Sequence, residues 1–243
     1  MTWVVIGASA GLGRALSEEL ARDGRSLLLV ASDRRDLDAL AADLRVRFRG
    51  EVRALECDVT ATGEATEVPS QALADAPIEG LLFPVGAVAE DDNGLLPASA
   101  ADQLIRINLT SVISIVGRLL PRMLEQRHGV IVGFGSVAAV RGRRRNVVYS
   151  AAKRALESYF ESLRHLCEPH GITVMLYVVG FMDTNQAFGQ KLRLPRAQPT
   201  RLARRVCREL GRHSGKRYLP RWWGPISLAL RVIPWPVFRR LRF

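Results

Sequence analysis

Tyr149 and Lys153 stand four residues apart in Tyr149-Ser150-Ala151-Ala152-Lys153, opening a segment whose Leu156, Tyr159, Phe160, Leu163 and Leu166 form an apolar helical face. A separation of four places phenol and ammonium on one side of the helix. That pair suits interconversion of a ketone and an alcohol, where a proton moves at oxygen while hydride moves at carbon. An ordinary tyrosine ionises near pH ~10. A neighbouring ammonium stabilises the phenolate and brings proton exchange towards neutral pH. Ser136, in Gly135-Ser136-Val137 after an apolar run, offers a hydroxyl for the same substrate oxygen. Alone, each residue has a plainer reading: Ser136 as a strand-end cap, Asn108 as a helix irregularity, Tyr149 as a core aromatic. Their occurrence together, in order and behind a glycine-rich loop, favours chemistry.

That loop is Gly7-Ala8-Ser9-Ala10-Gly11-Leu12-Gly13. It follows the apolar run Trp3-Val4-Val5-Ile6 and precedes a helical pattern of Leu12, Ala15, Leu16 and Leu20 that Gly24 closes. Three glycines in seven residues let the backbone approach a pyrophosphate, which the N–H groups and positive dipole of the helix then hold. A tight strand-to-helix turn without a ligand is the alternative.

Elements must position these groups, and the sequence alternates them. Residues 26–31 and 52–55 read as the second and third strands, with a helix through Leu37, Leu40, Ala41 and Leu44 between them. Residues 81–83, 130–134 and 172–179 read as strands four to six. A long helix through Leu104, Ile107, Val112 and Leu119 precedes the fifth. Strands apolar throughout, separated by helices, predict a parallel sheet covered on both faces, and so a single-domain, Rossmann-type, doubly wound α/β fold. Residues 1–190 form its catalytic part. Residues 191–243 form a basic substrate-lid and amphipathic C-terminal segment of the same domain, and residues 185–199 are expected to cover the substrate.

Composition narrows the function classes. Hydrophobic residues make up 48% of the 243, enough for a full core. Cys57, Cys167 and Cys207 form no Cys-x-x-Cys, and the four histidines lack ligand spacing, so a reduced cytoplasmic setting and no bound metal are expected. The net charge is +11, yet residues 191–243 alone carry 15 Lys/Arg and one acid, Glu209. This asymmetry calls for an anionic partner or a strong solubility role. No nucleic-acid motif accompanies it. Residues 222–237 are apolar but contain Arg231 and three prolines, too short and interrupted for a membrane span.

The glycine spacing with Asn108, Ser136, Tyr149 and Lys153 resembles the short-chain dehydrogenase/reductase family across residues 2 to about 190. The resemblance implies a nicotinamide cofactor, with Tyr149 as proton donor and Ser136 polarising the carbonyl. Lys153 lowers the tyrosine pKa and binds the nicotinamide ribose, and Asn108 holds a water that links the lysine to solvent. It also implies cofactor contacts at Gly7, Ser9, Ala10, Gly11, Leu12, Gly13, Asp58 (facing the adenine), Val59, Gly86, Gly180, Met182 and Thr184. Where NAD-binding members carry an acid at the end of the second strand, this chain has Ala31, followed by Ser32, Asp33, Arg34 and Arg35. Ser32, with Arg34 or Arg14, therefore points to NADPH, NADH being the alternative. The usual Asn-Asn-Ala-Gly is Pro84-Val85-Gly86-Ala87, and the usual Pro-Gly is Val179-Gly180.

Finer segments (Ser136 to Asn146, Gly180-Phe181-Met182-Asp183-Thr184 and Leu230 to Leu241) resemble the decaprenylphosphoryl-keto-pentose reductases and their relatives in bacterial polysaccharide clusters. That implies reduction of a keto group on a polyprenyl-phosphate sugar, paired with a flavin-dependent oxidase. The basic tail, with Trp222, Trp223, Trp235 and Phe238, suits the inner face of the plasma membrane, while packing on the body or in a homo-oligomer interface is an alternative. The arginines at 141 and 143–145 read as a solvated loop beside the active-site mouth, with a clamp for the substrate phosphate as the alternative. The competing functions are a soluble reductase of another ketone, such as a 3-ketoacyl thioester or a steroid, and a non-catalytic nucleotide-sensing membrane partner. The latter has no need of all four catalytic residues.

Overall fold

Alternating apolar and β-branched runs become the strands of one parallel sheet. The computed structural model describes residues 1–61, 68–73, 76–183 and 196–240. Its strands are β1 (Thr2–Ile6), β2 (Ser26–Ala31), β3 (Val52–Glu56), β4 (Ile78–Phe83), β5 (Gly129–Ser136), β6 (Ile172–Val179) and β7 (Gly215–Leu219). They lie in the order β3-β2-β1-β4-β5-β6-β7, every pair parallel. The order reverses at β1, whose C-terminal end leads into the glycine loop, the place where open α/β sheets bind ligands.

Successive side chains leave opposite faces of a strand, so each interior strand feeds two cores. Trp3 and Val5 of β1 join the core beneath α1 (Gly11–Arg22), α2 (Arg34–Phe48) and α7 (Pro199–Glu209). Val4 and Ile6 join the core beneath α5 (Ser111–Gln126) and α6 (Val147–Cys167). The short α3 (Val68–Leu73) and α4 (Ala98–Ile105) lie on the α5 side, and α4 runs into α5 through one π turn, Arg106–Thr110. The helical stretch Ala98–Gln126 is long and apolar enough to cross a membrane. Its Val112, Ile115, Val116, Leu119, Leu120 and Met123 are instead buried against the sheet.

Two details differ from the sequence reading. On α6 the buried stripe is Leu156, Phe160, Leu163 and Cys167, whereas Leu166 is 51% exposed. Spacings of three and four keep a stripe facing the sheet, and 166 falls beside it. The alternation also continues past residue 180, through α7 and β7. β7 reads Gly-Lys-Arg-Tyr-Leu, a charged edge strand without the apolar run that marks its neighbours.

The basic C-terminal part is therefore woven into the domain. Arg204 pairs with Glu19 at 3.2 Å, Lys216 with Glu157, and Glu209 takes Arg205, Arg217 and the Tyr177 hydroxyl. Beyond β7, α8 (Trp223–Val232) and α9 (Trp235–Phe238) lie over the body. Trp223 and Phe238 point inward at 4% and 5% exposure, so two of the four aromatics expected at a headgroup boundary are core residues. Trp235 remains 62% exposed.

α6 reaches β5 closely because Gly133 has no side chain. A Cβ there would lie 2.4 Å from the Phe160 ring. Gly133→Ala is expected to push α6 outward and lower stability by about 1–3 kcal/mol, read as a drop in the urea midpoint with an unchanged slope.

Candidate active site

The approach of α6 to β5 brings Ser136, at the end of β5, to the first turn of α6. The Ser136 hydroxyl hydrogen-bonds the Tyr149 hydroxyl, and its oxygen also accepts from Ala138 N–H at 3.1 Å. Ser136 is thus both a strand-end cap and a partner of the tyrosine. Burial pushes the Tyr149 pKa up, while the Ser136 hydrogen bond and then the Arg143 guanidinium pull it down.

Lys153, one turn along α6, is 4% exposed. Its ammonium donates to the carbonyls of Phe134 at 3.2 Å and Val85 at 3.4 Å, and burial brings its pKa down to about 8. The ammonium lies 6.0 Å from the Tyr149 ring centroid. The sequence reading put this ammonium beside the phenol as the main source of its acidity. Ser136 and Arg143 act on the phenol as well, and the carbonyls of Val85 and Phe134 hold the lysine inward.

Gly86 makes room for this arrangement. A Cβ at Gly86 would stand 3.0 Å from Asn108 Oδ1 and 3.2 Å from Lys153 Nζ. Asn108 sits in the π turn, where the extra residue turns its side chain out of the helix ladder. Its amide donates to the carbonyls of Ala87 at 2.8 Å and Leu104 at 2.9 Å, and its Oδ1 accepts from Ala87 N–H at 3.3 Å. Asn108 therefore holds the loop after β4 that touches the lysine, the same loop that lacks the family's usual asparagines.

The nucleotide side is equally bare of side chains. A Cβ at Gly13 would fall 1.9 Å from the Gly7 carbonyl oxygen, and one at Gly7 would meet Val85 Cα at 2.9 Å. Gly7 and Gly11 have φ of +90° and +50°, a region that favours glycine. Ala10 precedes α1 with no side-chain cap, which leaves the first N–H groups for an anion. Ser9 is half-buried and Leu12 is anchored in the core. This glycine cradle fits a dinucleotide.

At the end of β2, Ser32 is exposed, and Asp33 spends its carboxylate capping α2 through Asp36 N–H at 2.9 Å. Arg34 pairs with Asp38 at 2.6 Å and Glu56 at 3.9 Å. Arg14 is exposed, with no side-chain hydrogen bond or ion pair among the described residues, which makes it the freer of the two candidates for a 2′-phosphate. Asp58 accepts from Thr60 N–H and Oγ at 2.9 and 2.8 Å, and Val59 packs against the core. Gly180 donates its N–H to Leu219 and lies under the Trp223 indole, where a Cβ would be 1.9 Å from Nε1. Met182 bridges to Ala197. Thr184, and most of the expected lid at 185–199, lie outside the described residues.

Two contributors escaped the sequence reading. Buried Asp92 accepts from Val148 N–H at 3.0 Å and Tyr149 N–H at 2.9 Å, and so caps α6 from the loop after β4. Asn146, the residue before α6, makes no side-chain cap of its own. The only signal was the acidic cluster Glu90-Asp91-Asp92. The second is Arg141, expected in solvent. It donates to the carbonyls of Leu230 and Ile233 and stacks 4.0 Å over Phe238, tying the loop before α6 to the C-terminal helices.

The chain belongs to the short-chain dehydrogenase family, whose model matches residues 1–192. It is 30% identical to an uncharacterized oxidoreductase of Myxococcus xanthus over 249 residues, covering 99% of this chain and 97% of that one. A very-long-chain 3-oxoacyl-CoA reductase of Aspergillus fumigatus is 25% identical over 88% of this chain, which spans 63% of that protein's length. Among solved structures, a short-chain dehydrogenase from Sphingobium yanoikuyae in complex with NADPH is similar at 26% identity and TM-score 0.84, over 99% of this chain and 96% of that one. The protein is an NAD(P)-dependent oxidoreductase of this family, with a ketoreductase site.

Two outcomes follow from the geometry. Asp92→Ala should lower kcat more than it changes KM and reduce stability by about 0.5–2 kcal/mol, with Asp92→Asn recovering part of both, as steady-state kinetics and thermal melts would register. Lys153→Met should abolish turnover yet raise the melting temperature at pH 7. Below about pH 8 the lysine is charged in both folded and unfolded chains, and its burial then costs stability in full. Between about 8 and 10.5 the folded chain releases the proton first. The variant's advantage should therefore shrink across that window in melts taken against pH.

Proposed function

We propose that the protein is an NADPH-dependent reductase of a keto group on a polyprenyl-phosphate-linked sugar, working at the inner face of the plasma membrane. In this reading it supplies the reductive half of an epimerisation whose oxidative half belongs to a flavin-dependent oxidase. The observation that carries the reading is the Arg141 tie between the catalytic loop and the C-terminal helices. Those helices expose Leu228, Val232, Trp235 and Val237 beside Arg231, Arg239 and Arg240. Residues 210–243 contain no acid to offset the arginines. Apolar side chains flanked by cations suit an anionic lipid surface, and a tie of this kind keeps the active-site mouth at that surface, where a polyprenyl chain would lie.

The chain's own groups account for the proton and the carbonyl. Ser136 and Tyr149 hydrogen-bond the substrate oxygen, and Tyr149 delivers its proton as charge develops there. Lys153 and Arg143 stabilise the resulting phenolate, and Lys153, held by the two carbonyls, is the group through which the proton is replaced. A bound nicotinamide supplies the hydride. Choice of the phosphorylated cofactor is supported by Ala31 in place of an acid, by exposed Ser32 and Arg14, and by the NADPH held by the Sphingobium relative. We take the working form as a homo-oligomer, to which the exposed Ile105, Ile113 and Leu166 on α4, α5 and α6 are suited.

A second reading, reduction of a 3-oxoacyl thioester, is favoured by the resemblance to the Aspergillus reductase. NADPH oxidation followed by absorbance, with a polyprenyl-phosphoryl keto-pentose and an acetoacetyl thioester side by side, separates the two. Strong preference for the lipid-linked sugar is expected, and turnover of the thioester alone would sink the sugar reading. In either case Tyr149→Phe should lose about 10²–10⁴-fold in kcat with little change in cofactor affinity, whereas a non-catalytic nucleotide sensor would be indifferent to it.

A further inference from the structure

Of the four arginines between 141 and 145, three are accounted for. Arg141 is engaged with Leu230, Ile233 and Phe238, while Arg144 and Arg145 are exposed. Arg143 is different. It is half-buried, its Nε is closed to solvent without a hydrogen-bond partner, and no ion pair reaches it among the described residues. A guanidinium keeps its proton at any ordinary pH, so it cannot escape the cost of burial by becoming neutral. A buried charge is normally paired. The ionisable group that acts on Arg143 is Tyr149, the proton donor itself.

No carboxylate answers it among the described residues, so a negative charge for it would come from something that enters the site. The cofactor's phosphates have their own receptors, in the glycine cradle at Gly7–Gly13 and the open N-terminus of α1, and its nicotinamide end brings no anion to the tyrosine. We propose that Arg143 is a specificity-determining residue that receives an anionic oxygen group of the substrate, a phosphate or carboxylate, attached within a few bonds of the ketone carbon. The inference rests on the reading of the site as a ketoreductase, and names what the ketone must carry. Arg143 stands six residues before Tyr149, in the loop that leads into α6, and its charge is felt at the Tyr149 hydroxyl, so an anion held there would lie on the same side of the site as the substrate oxygen. A guanidinium presents a planar fork of donors that such a group accepts. A sugar whose ketone adjoins its phosphate-bearing carbon meets the requirement, whereas a 3-oxoacyl thioester places no anion there.

Dihydroxyacetone phosphate and dihydroxyacetone form a matched pair that differs only in the phosphate beside the ketone. NADPH oxidation by the wild-type enzyme should favour the phosphorylated ketone by about tenfold or more in kcat/KM, chiefly through KM. In Arg143→Gln that ratio should fall to near one, and Arg143→Lys should keep part of it. Glycerol 3-phosphate, compared with glycerol, should raise the melting temperature of the wild type and leave that of Arg143→Gln unmoved, a reading that needs no turnover. A wild-type ratio near one together with no glycerol 3-phosphate shift would overturn the proposal. So would a ratio unaltered in Arg143→Gln, above all if the pH profile of kcat moved for both ketones, since Arg143 would then serve Tyr149 alone. The two readings fail separately. Phosphate preference without turnover of the polyprenyl-phosphoryl sugar removes the lipid-linked substrate and leaves Arg143 in place. Equal turnover of that sugar by wild type and Arg143→Gln removes only the role of Arg143.

Discussion

A buried ammonium organises this protein. Lys153 sits at 4% exposure, where charge is costly. Its cost is offset by two main-chain carbonyls, Val85 after β4 and Phe134 on β5. Those carbonyls are available because the C-terminal ends of neighbouring parallel strands splay into loops. The loop after β4 can pass this close only because Gly86 lacks a side chain, and it stays there because Asn108 donates to the Ala87 carbonyl through Nδ2 and accepts from the Ala87 N–H through Oδ1. The π turn in the α4–α5 helix is what places Asn108 in that position. One charge thus fixes the relation of two strands, one loop and two helices.

The same economy appears around α6. Phe160 against Gly133 sets its height above the sheet, and Asp92 fixes where it begins. The carboxylate sits at the positive end of the helix dipole and accepts from the Tyr149 N–H, so the cap also positions that residue. Ser136 faces a double demand, accepting from Ala138 N–H while hydrogen-bonding the phenol. The acidity of Tyr149 is then set by a contest in which burial raises it and Ser136 and Arg143 lower it. This is a different balance from one governed by the lysine alone.

The basic tail divides into two populations. Arg204, Arg205, Lys216 and Arg217 answer acids of the body or of α7 and belong to the fold. Arg231, Arg239 and Arg240 stand beside exposed apolar side chains on α8 and α9 and face outward. Trp223 and Phe238 hold that outer layer down, one over Gly180 and the other under Arg141. The C-terminal segment is accordingly tied, through Arg141, to the loop that carries Arg143.

Local patterns made much of this legible in the sequence. Six strands, the glycine cradle and the Tyr149–Lys153 helix follow from periodicities and glycine positions that span a few residues, where the physics is local. The parallel, doubly wound sheet followed from strands apolar on both faces. β7 was hidden because an edge strand needs no continuous apolar run, and Leu166 was misplaced because adjacent helix positions differ little in sequence but face different ways. What only the tertiary structure decided are contacts across long separations: Asp92 on Tyr149, Arg141 on Leu230, Gly133 beneath Phe160, and the inward turn of Lys153 towards carbonyls. None leaves a periodic trace, because an arginine that pins a helix, one half-buried with an unpartnered Nε and one in solvent are the same letter. Only the packing around each, which sets the cost of its charge, tells them apart.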